Sequence, residues 1–134
     1  LGSQKLLSVA VSARTGKEKW PIAYQYQQIG EIADMVIVMA YDYSYSGSSP
    51  GPIAPLWWVK EVIEYMQANI DRAKILLGLP TYGYNWAKSG TTTVTAEKLN
   101  IIKKQYQVDS HFDEKSQSPY YTYRDGEGVI HEIW

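Results

Sequence analysis

Three nearly continuous apolar runs limit what this chain can become: Leu6-Leu7-Ser8-Val9-Ala10-Val11, Met35-Val36-Ile37-Val38 and Ile75-Leu76-Leu77-Gly78-Leu79. A strand that meets water on one face alternates apolar and polar side chains. Runs without alternation belong to parallel strands covered on both faces. Helical patterns lie between the runs, the first around Tyr24 to Ala33. The second spans about Pro55 to Ile70, with Leu56, Val59, Val62, Ile63, Met66 and Ile70 near a period of 3.6 and Lys60, Glu61, Glu64 and Gln67 on the other face. Strand–helix–strand–helix–strand at this spacing implies two right-handed crossovers and an α/β sheet.

The second and third runs finish in polar aromatic residues. Met39-Ala40-Tyr41-Asp42-Tyr43 closes one, and Pro80-Thr81-Tyr82-Gly83-Tyr84-Asn85-Trp86 follows the other. Functional residues of parallel α/β folds cluster at the carboxyl ends of strands, so both segments are expected on one face. The aromatic usage suits such a face: 12 Tyr and 5 Trp stand against a single Phe. Tyr and Trp join a flat apolar ring to a hydrogen-bonding edge, which fits half-polar ligands such as sugars.

Other classes fall away. Lys and Arg total 13 against 14 Asp and Glu, which leaves no basic footprint for nucleic acid. With 0 cysteines there is neither a disulfide framework nor a Cys-based zinc site. His111 and His131 have no partner at ligand spacing, so no metal or cofactor site is read. No apolar run approaches the roughly 20 residues of a membrane span, and Leu1-Gly2-Ser3-Gln4-Lys5 shows no signal-peptide leader.

The character changes after Trp86. Lys88-Ser89-Gly90-Thr91-Thr92-Thr93 reads as a polar loop. Thr95 is placed to cap a helix running to about Tyr106, with Glu97 in its first turn and Lys103 and Lys104 in its last. Three short strands follow, at His111 to Glu114, Tyr120 to Tyr123 and Val129 to Trp134. The last two flank Asp125-Gly126, a strong hairpin signal. The expected division is an α/β segment over 1–86 and a small α+β unit over 87–134.

Met39-Ala40-Tyr41-Asp42-Tyr43, the helix after Pro55, and Lys74-Ile75-Leu76-Leu77-Gly78-Leu79-Pro80-Thr81-Tyr82-Gly83-Tyr84-Asn85-Trp86 together resemble glycoside hydrolase family 18. The resemblance runs along nearly the whole chain and is nearest to the bacterial branch acting on cell walls and spore cortex. It implies that the three strands are strands five to seven of a (β/α)8 barrel, with 87–134 as an insertion. It also implies substrate-assisted retaining hydrolysis of N-acetylglucosamine linkages in peptidoglycan or chitin. In that chemistry the substrate's own acetamido oxygen attacks the anomeric carbon, an exception to the two-carboxylate scheme.

By resemblance Tyr41 bonds the acetamido oxygen and Asp42 lies beside the general acid and the sugar. Met39, Tyr82, Tyr84, Asn85 and Trp86 are the substrate-binding candidates. The last three could equally pack at the base of the insertion. Arg14 is a candidate for the cleft rim, whereas Trp57 and Trp58 are expected to pack.

The family's Asp-x-x-Asp-x-Asp-x-Glu motif, whose Glu is the general acid, has no match in residues 1–134. Glu61, Glu64, Asp113 and Glu114 read as solvated. A barrel takes roughly 250 residues, so the chain is expected to be a piece of a larger enzyme and catalytically silent alone. Its apolar side, read as Val9, Val36, Val38 and Ile75, would then lack a partner and favour self-association. A non-catalytic, lectin-like member is the alternative. The implied setting is extracellular, on the cell wall or spore of a bacterium.

Overall fold

The computed structural model describes residues 5–19 and 24–134. Two compact units emerge. One takes in the chain up to Tyr41 together with Trp58–Leu79; the other holds Asp42–Trp57 and Pro80–Trp134.

The first unit contains three strands, β1 (Ser8–Ser12), β2 (Met35–Met39) and β3 (Ile75–Gly78), paired in parallel in the order β1-β2-β3. Helix α1 (Tyr26–Ile32) connects the first two and α2 (Leu56–Asn69) precedes the third, so the expected crossovers are present. Both expected helices are shorter than the patterns suggested. A single turn of 3-10 helix, Arg72–Lys74, leads into β3 and is capped by the Asp71 carboxylate, which accepts from Ala73 N at 2.9 Å.

The core of this unit joins Val11, Val36 and Val38 of the sheet to Tyr26, Ala33, Val62, Met66 and Ile70 of the helical layer. Val62 and Met66 are fully buried, and burying one such side chain is worth about 1.5–3 kcal/mol. Leu56, expected on the apolar face, is instead exposed. The helices meet where Gly30 of α1 lets Ile70 approach, since a Cβ on Gly30 would lie 2.9 Å from Ile70 Cγ1.

The faces of the sheet are the reverse of the expectation. Val36 and Val38 are the buried, helix-covered residues, and Val9 and Ile75 pack partly against them. The pleat turns Ala10, Ile37 and Leu76, which share a register, to the other side, where Leu76 is 47% exposed. An unbroken apolar run states that a strand is buried but not which of its faces the helices take.

The second unit is a five-stranded antiparallel sheet in the order β5-β4-β8-β7-β6. Its strands are β4 (Tyr82–Ala87), β5 (Gly90–Thr95), β6 (Val108–Asp113), β7 (Ser118–Arg124) and β8 (Ile130–Ile133). The segment read as a polar loop is β5, because three threonines in succession are β-branched and at home on a pleated surface despite their hydroxyls. The expected division after Trp86 falls inside β4. Helix α3 (Ala96–Gln105) starts as expected, with the Thr95 hydroxyl accepting from Lys98 N at 3.3 Å. It covers a core of Val94, Ile102, Tyr123 and Ile133. Gly83 is obligatory in β4, where a Cβ would run into the carbonyl oxygen of Trp134.

No described helix is long and apolar enough to cross a membrane.

Candidate functional site

The first unit carries Met39 and Tyr41 at the carboxyl end of β2, both half-buried. The neighbouring strand makes room for Tyr41 by leaving out a side chain: a Cβ on Gly78 would sit 3.0 Å from the Val38 carbonyl oxygen and 3.4 Å from Tyr41 Cε1. The Gly in Gly78-Leu79-Pro80 is therefore a spacer for the tyrosine ring, a role its place inside a strand could have suggested.

The second unit begins at the next residue. Asp42 has φ of 59°, the left-handed region, which Asp tolerates better than most residues but which still costs on the order of 1–3 kcal/mol. Such a conformation persists only where its surroundings hold it, and two phenols supply the hold. The Tyr82 hydroxyl donates to Asp42 Oδ1 at 2.7 Å, and the Tyr84 hydroxyl donates to the same oxygen at 3.2 Å. Burial and then the adjacent Asp42 carboxylate push the Tyr82 phenol well above the ordinary tyrosine range, and both act in that direction on Tyr84. Both phenols thus stay protonated and act as donors to Asp42.

Strand β4 explains why these residues act together. Tyr82, Tyr84 and Trp86 alternate along it and so share one face, with ring centroids 5.6 Å and 5.5 Å apart in edge-to-face contacts. Trp86 is only 6% exposed, and its indole Nε1–H donates to the carbonyl oxygen of Ser48 at 3.0 Å. Its ring is a tether for the loop after Asp42 rather than an open surface.

Asn85 is placed apart from the other candidates, on the opposite face of β4. It is buried, its amide donates to the Tyr123 hydroxyl at 3.0 Å, and its Oδ1 lies 3.1 Å from His131 Nδ1. His131 stacks on Tyr123 at 4.4 Å and meets Asp125 through its other nitrogen at 3.2 Å. The side chain expected to reach a sugar is committed to closing the sheet. Reading β4 as a strand through Ala87 would have found this, because period 2 separates Asn85 from Tyr84 and Trp86.

Arg14, expected near a rim, stacks its guanidinium over Tyr26 and Tyr65, 5.4 Å and 5.2 Å from the ring centroids, and lies 3.8 Å from Glu18. Trp57 meets Tyr43 edge to face at 5.1 Å, and Trp58 packs against the first unit's core. His111 stacks on Tyr120 at 4.6 Å and bonds Thr122 at 3.0 Å. Among the described residues, no three His, Cys, Asp or Glu side chains gather as a metal site.

Tyr41 thus ends a parallel strand of the first unit, and Asp42 follows it in the chain with one carboxylate oxygen accepting from two phenols. The chain belongs to the glycosyl hydrolases of family 18, whose family model matches residues 1–134. It is 35% identical to YdhD of Bacillus subtilis over 96% of this chain and 32% of that protein. The cortical fragment-lytic enzyme of Bacillus subtilis is 31% identical over 96% of this chain and 32% of its own length. The fold is that of the crystal structure of the Bacillus cereus spore cortex-lytic enzyme SleL, with a TM-score of 0.92 and 30% identity, covering 100% of this chain and 33% of that one. The chitinase of Chromobacterium violaceum superposes with a TM-score of 0.88 at 28% identity, over 96% of this chain and 42% of that one. The chain spans about a third of the length of the curated relatives it matches.

Proposed function

We propose that this chain is part of the catalytic barrel of a bacterial glycosidase, with β1, β2 and β3 as the fifth to seventh barrel strands and the segment after them as an insertion. The parent hydrolyses N-acetylglucosamine linkages in peptidoglycan or chitin by substrate-assisted retaining catalysis. Its general acid lies outside these 134 residues, since none of them matches the family's acid motif. The observation that carries the reading is Asp42, forced into the left-handed region directly after Tyr41 and gripped by two phenols. Likeness to cortex-lytic proteins favours peptidoglycan and a spore-associated setting.

In this mechanism Tyr41 donates its hydroxyl hydrogen to the acetamido oxygen and aims it at the anomeric carbon. As that oxygen attacks, positive charge spreads over the acetamido group and the ring. The Asp42 carboxylate stabilises it, with Oδ1 held by the hydroxyls of Tyr82 and Tyr84. Fixed donors and charges of this kind need no reorganisation during the reaction. Met39 of the first unit and Tyr82 and Tyr84 of the second remain substrate-contact candidates, and Trp86 fastens the loop after Asp42 through Ser48 O. A chain limited to these residues has no proton donor for the leaving oxygen and is inactive alone.

Tyr41→Phe in the full-length enzyme tests the reading. Turnover on N-acetylated oligosaccharides should fall about 10²–10³-fold, the usual consequence of removing one preorganised donor, while binding changes little, because the bond gains most in the transition state. Unchanged turnover would return Tyr41 to packing.

A further inference from the structure

Among the described residues, two that are not glycine adopt the left-handed backbone region: Asp42 with φ of 59° and Gln117 with φ of 55°. Such a conformation persists only where its surroundings hold it, and outliers of this kind collect at functional sites. Asp42 opens the loop that leads to α2, and Gln117 lies in the turn between β6 and β7. Both belong to the second unit, and a series of main-chain hydrogen bonds joins the two segments. Tyr43 N donates to Ile53 O at 2.9 Å and Ser44 N to Pro52 O at 3.2 Å, so the outgoing and returning arms of the loop pair directly after Asp42. The tip is a tight turn, with Ser48 N donating to Tyr45 O at 2.9 Å, and the Trp86 indole fastens it through Ser48 O. The returning arm is buried at Ile53 and Pro55. It ends at Leu56, whose N–H donates to the carbonyl oxygen of Ser116 at 2.9 Å.

Leu56 is the first residue of α2, so its N–H has no acceptor within the helix and is satisfied by a turn remote in sequence. That turn is built to present the oxygen. Ser116 is 2% exposed; its N–H donates to Asp113 Oδ2 at 2.8 Å, and its hydroxyl donates to the same oxygen. These two bonds, the hydroxyl foremost, hold the Asp113 carboxyl below its ordinary range, so it is an ionised acceptor at neutral pH. Ser118 Oγ donates to Ser116 O at 3.3 Å, and Gln117 Nε2 donates to Glu114 O at 2.6 Å. A glycine at position 117 would serve a plain reversal of the chain without strain. The glutamine is held in that conformation by its own bond, which makes the turn a fixed object rather than a pliable one.

We infer that the turn between β6 and β7 is a positioning element for catalysis: through Ser116 O it anchors the returning arm at Leu56, and the arm holds the main chain beside Asp42 through Ile53 O. The inference rests on the glycosidase reading above and assigns Ser116 and Asp113 to that site as positioning residues that act through Asp42. The hydroxyls of Tyr82 and Tyr84 fix the far end of the Asp42 side chain, and the arm fixes its main chain. Two side-chain torsions separate those points, so a shift of the main chain tilts the carboxylate even while a phenol bond survives. Misplacement of a reacting group by about 1 Å can cost on the order of 10²-fold in rate.

The test uses the full-length enzyme acting on N-acetylglucosamine oligosaccharides, with kcat, KM and melting temperature measured together. Leu56→Pro deletes the N–H at a position where a helix accepts proline. It should lower kcat roughly 10–10²-fold, with KM and melting temperature little changed. Leu56→Ala, which removes the same exposed side chain but keeps the N–H, should recover most of that loss. Asp113→Ala loosens the turn without touching the helix and should lower kcat in the same sense, and Asp113→Asn, which keeps an acceptor oxygen, should restore part of it. In an Asp42→Asn background Leu56→Pro should lower kcat no further, because both changes act through one side chain. Wild-type kcat in Leu56→Pro and Asp113→Ala, losses that only track loss of folded protein, or full additivity with Asp42→Asn would each overturn the inference and leave the glycosidase reading intact. A wild-type enzyme that cleaves no member of the series would overturn that reading and the inference with it.

Discussion

The first unit buries Val11, Val36, Val38, Val62 and Met66 completely and carries Tyr41 just past the end of a parallel strand. The second buries the polar Ser44, Asn85 and Ser116 as well as its apolar core, and its Asp42 is held by phenol hydroxyls. Apolar burial is non-directional and tolerates small shifts; hydrogen bonds require partners at set distances and angles. The first unit is therefore held chiefly by filled volume, and the second by paired polar groups. The difference also appears in glycines: Gly30 serves close helix packing, whereas Gly83 makes way for a main-chain carbonyl.

The largest expected effect comes from removing the bulk at the centre of the first unit. Met66→Ala should cost about 2–5 kcal/mol, and hydrogen exchange should show protection lost in β1 and β2 but kept in β4 and β8. Equal loss in both sheets would break the comparison by showing one cooperative body. The second unit should be vulnerable through partners rather than volume. Asn85→Leu, similar in size, leaves the Tyr123 hydroxyl and a His131 nitrogen unpaired, and should cost about 1–3 kcal/mol. Chemical denaturation followed at β8 would measure it, and a neutral result would mean that packing governs this unit too.

The smallest expected effect is alkaline. Tyr26, buried in the first unit, has its phenol pushed up from the usual 10.0 to about 12 by burial, and Tyr82 is raised by burial and Asp42. A folded-state value above the unfolded one means stability is complete below pH 10 and declines above it, because the unfolded phenol ionises first. For Tyr26 the decline should run from about pH 10 to about 12. Asp42→Asn should soften the alkaline loss in the second unit and leave that of the first unchanged; an equal change in both would remove the electrostatic distinction between them.

The sequence-based reading located the three parallel strands and α2 closely, because apolar runs and a 3.6 period depend on the hydrophobic effect and little else. Thr95 was also legible as a cap, since a hydroxyl before a helix has few other uses. Less of the site could be read. Tyr41 and Asp42 stood out as polar residues at the end of an apolar strand, yet the grip of Tyr82 and Tyr84 on Asp42 joins positions 40 and 42 residues apart, and no local pattern encodes such a pairing. Asn85 and Trp86 were taken as candidates for one surface because no strand was read over 82–87; a strand sends them to opposite faces. The covered face of the parallel sheet was also misassigned, since a run that is apolar throughout carries no phase.

The Trp86 indole grips the main-chain oxygen of Ser48, and main-chain oxygens are common to all residues. Substitutions at the tip of the loop therefore leave this tether in place, as long as the turn keeps its shape. Residues 45 and 46 are in that sense free to vary, while Gly47 and Gly51, each pressed against a neighbouring side chain, are not. A lineage could exchange the ring at position 45 for another side chain in a single step, with the tether from Trp86 to Ser48 O undisturbed.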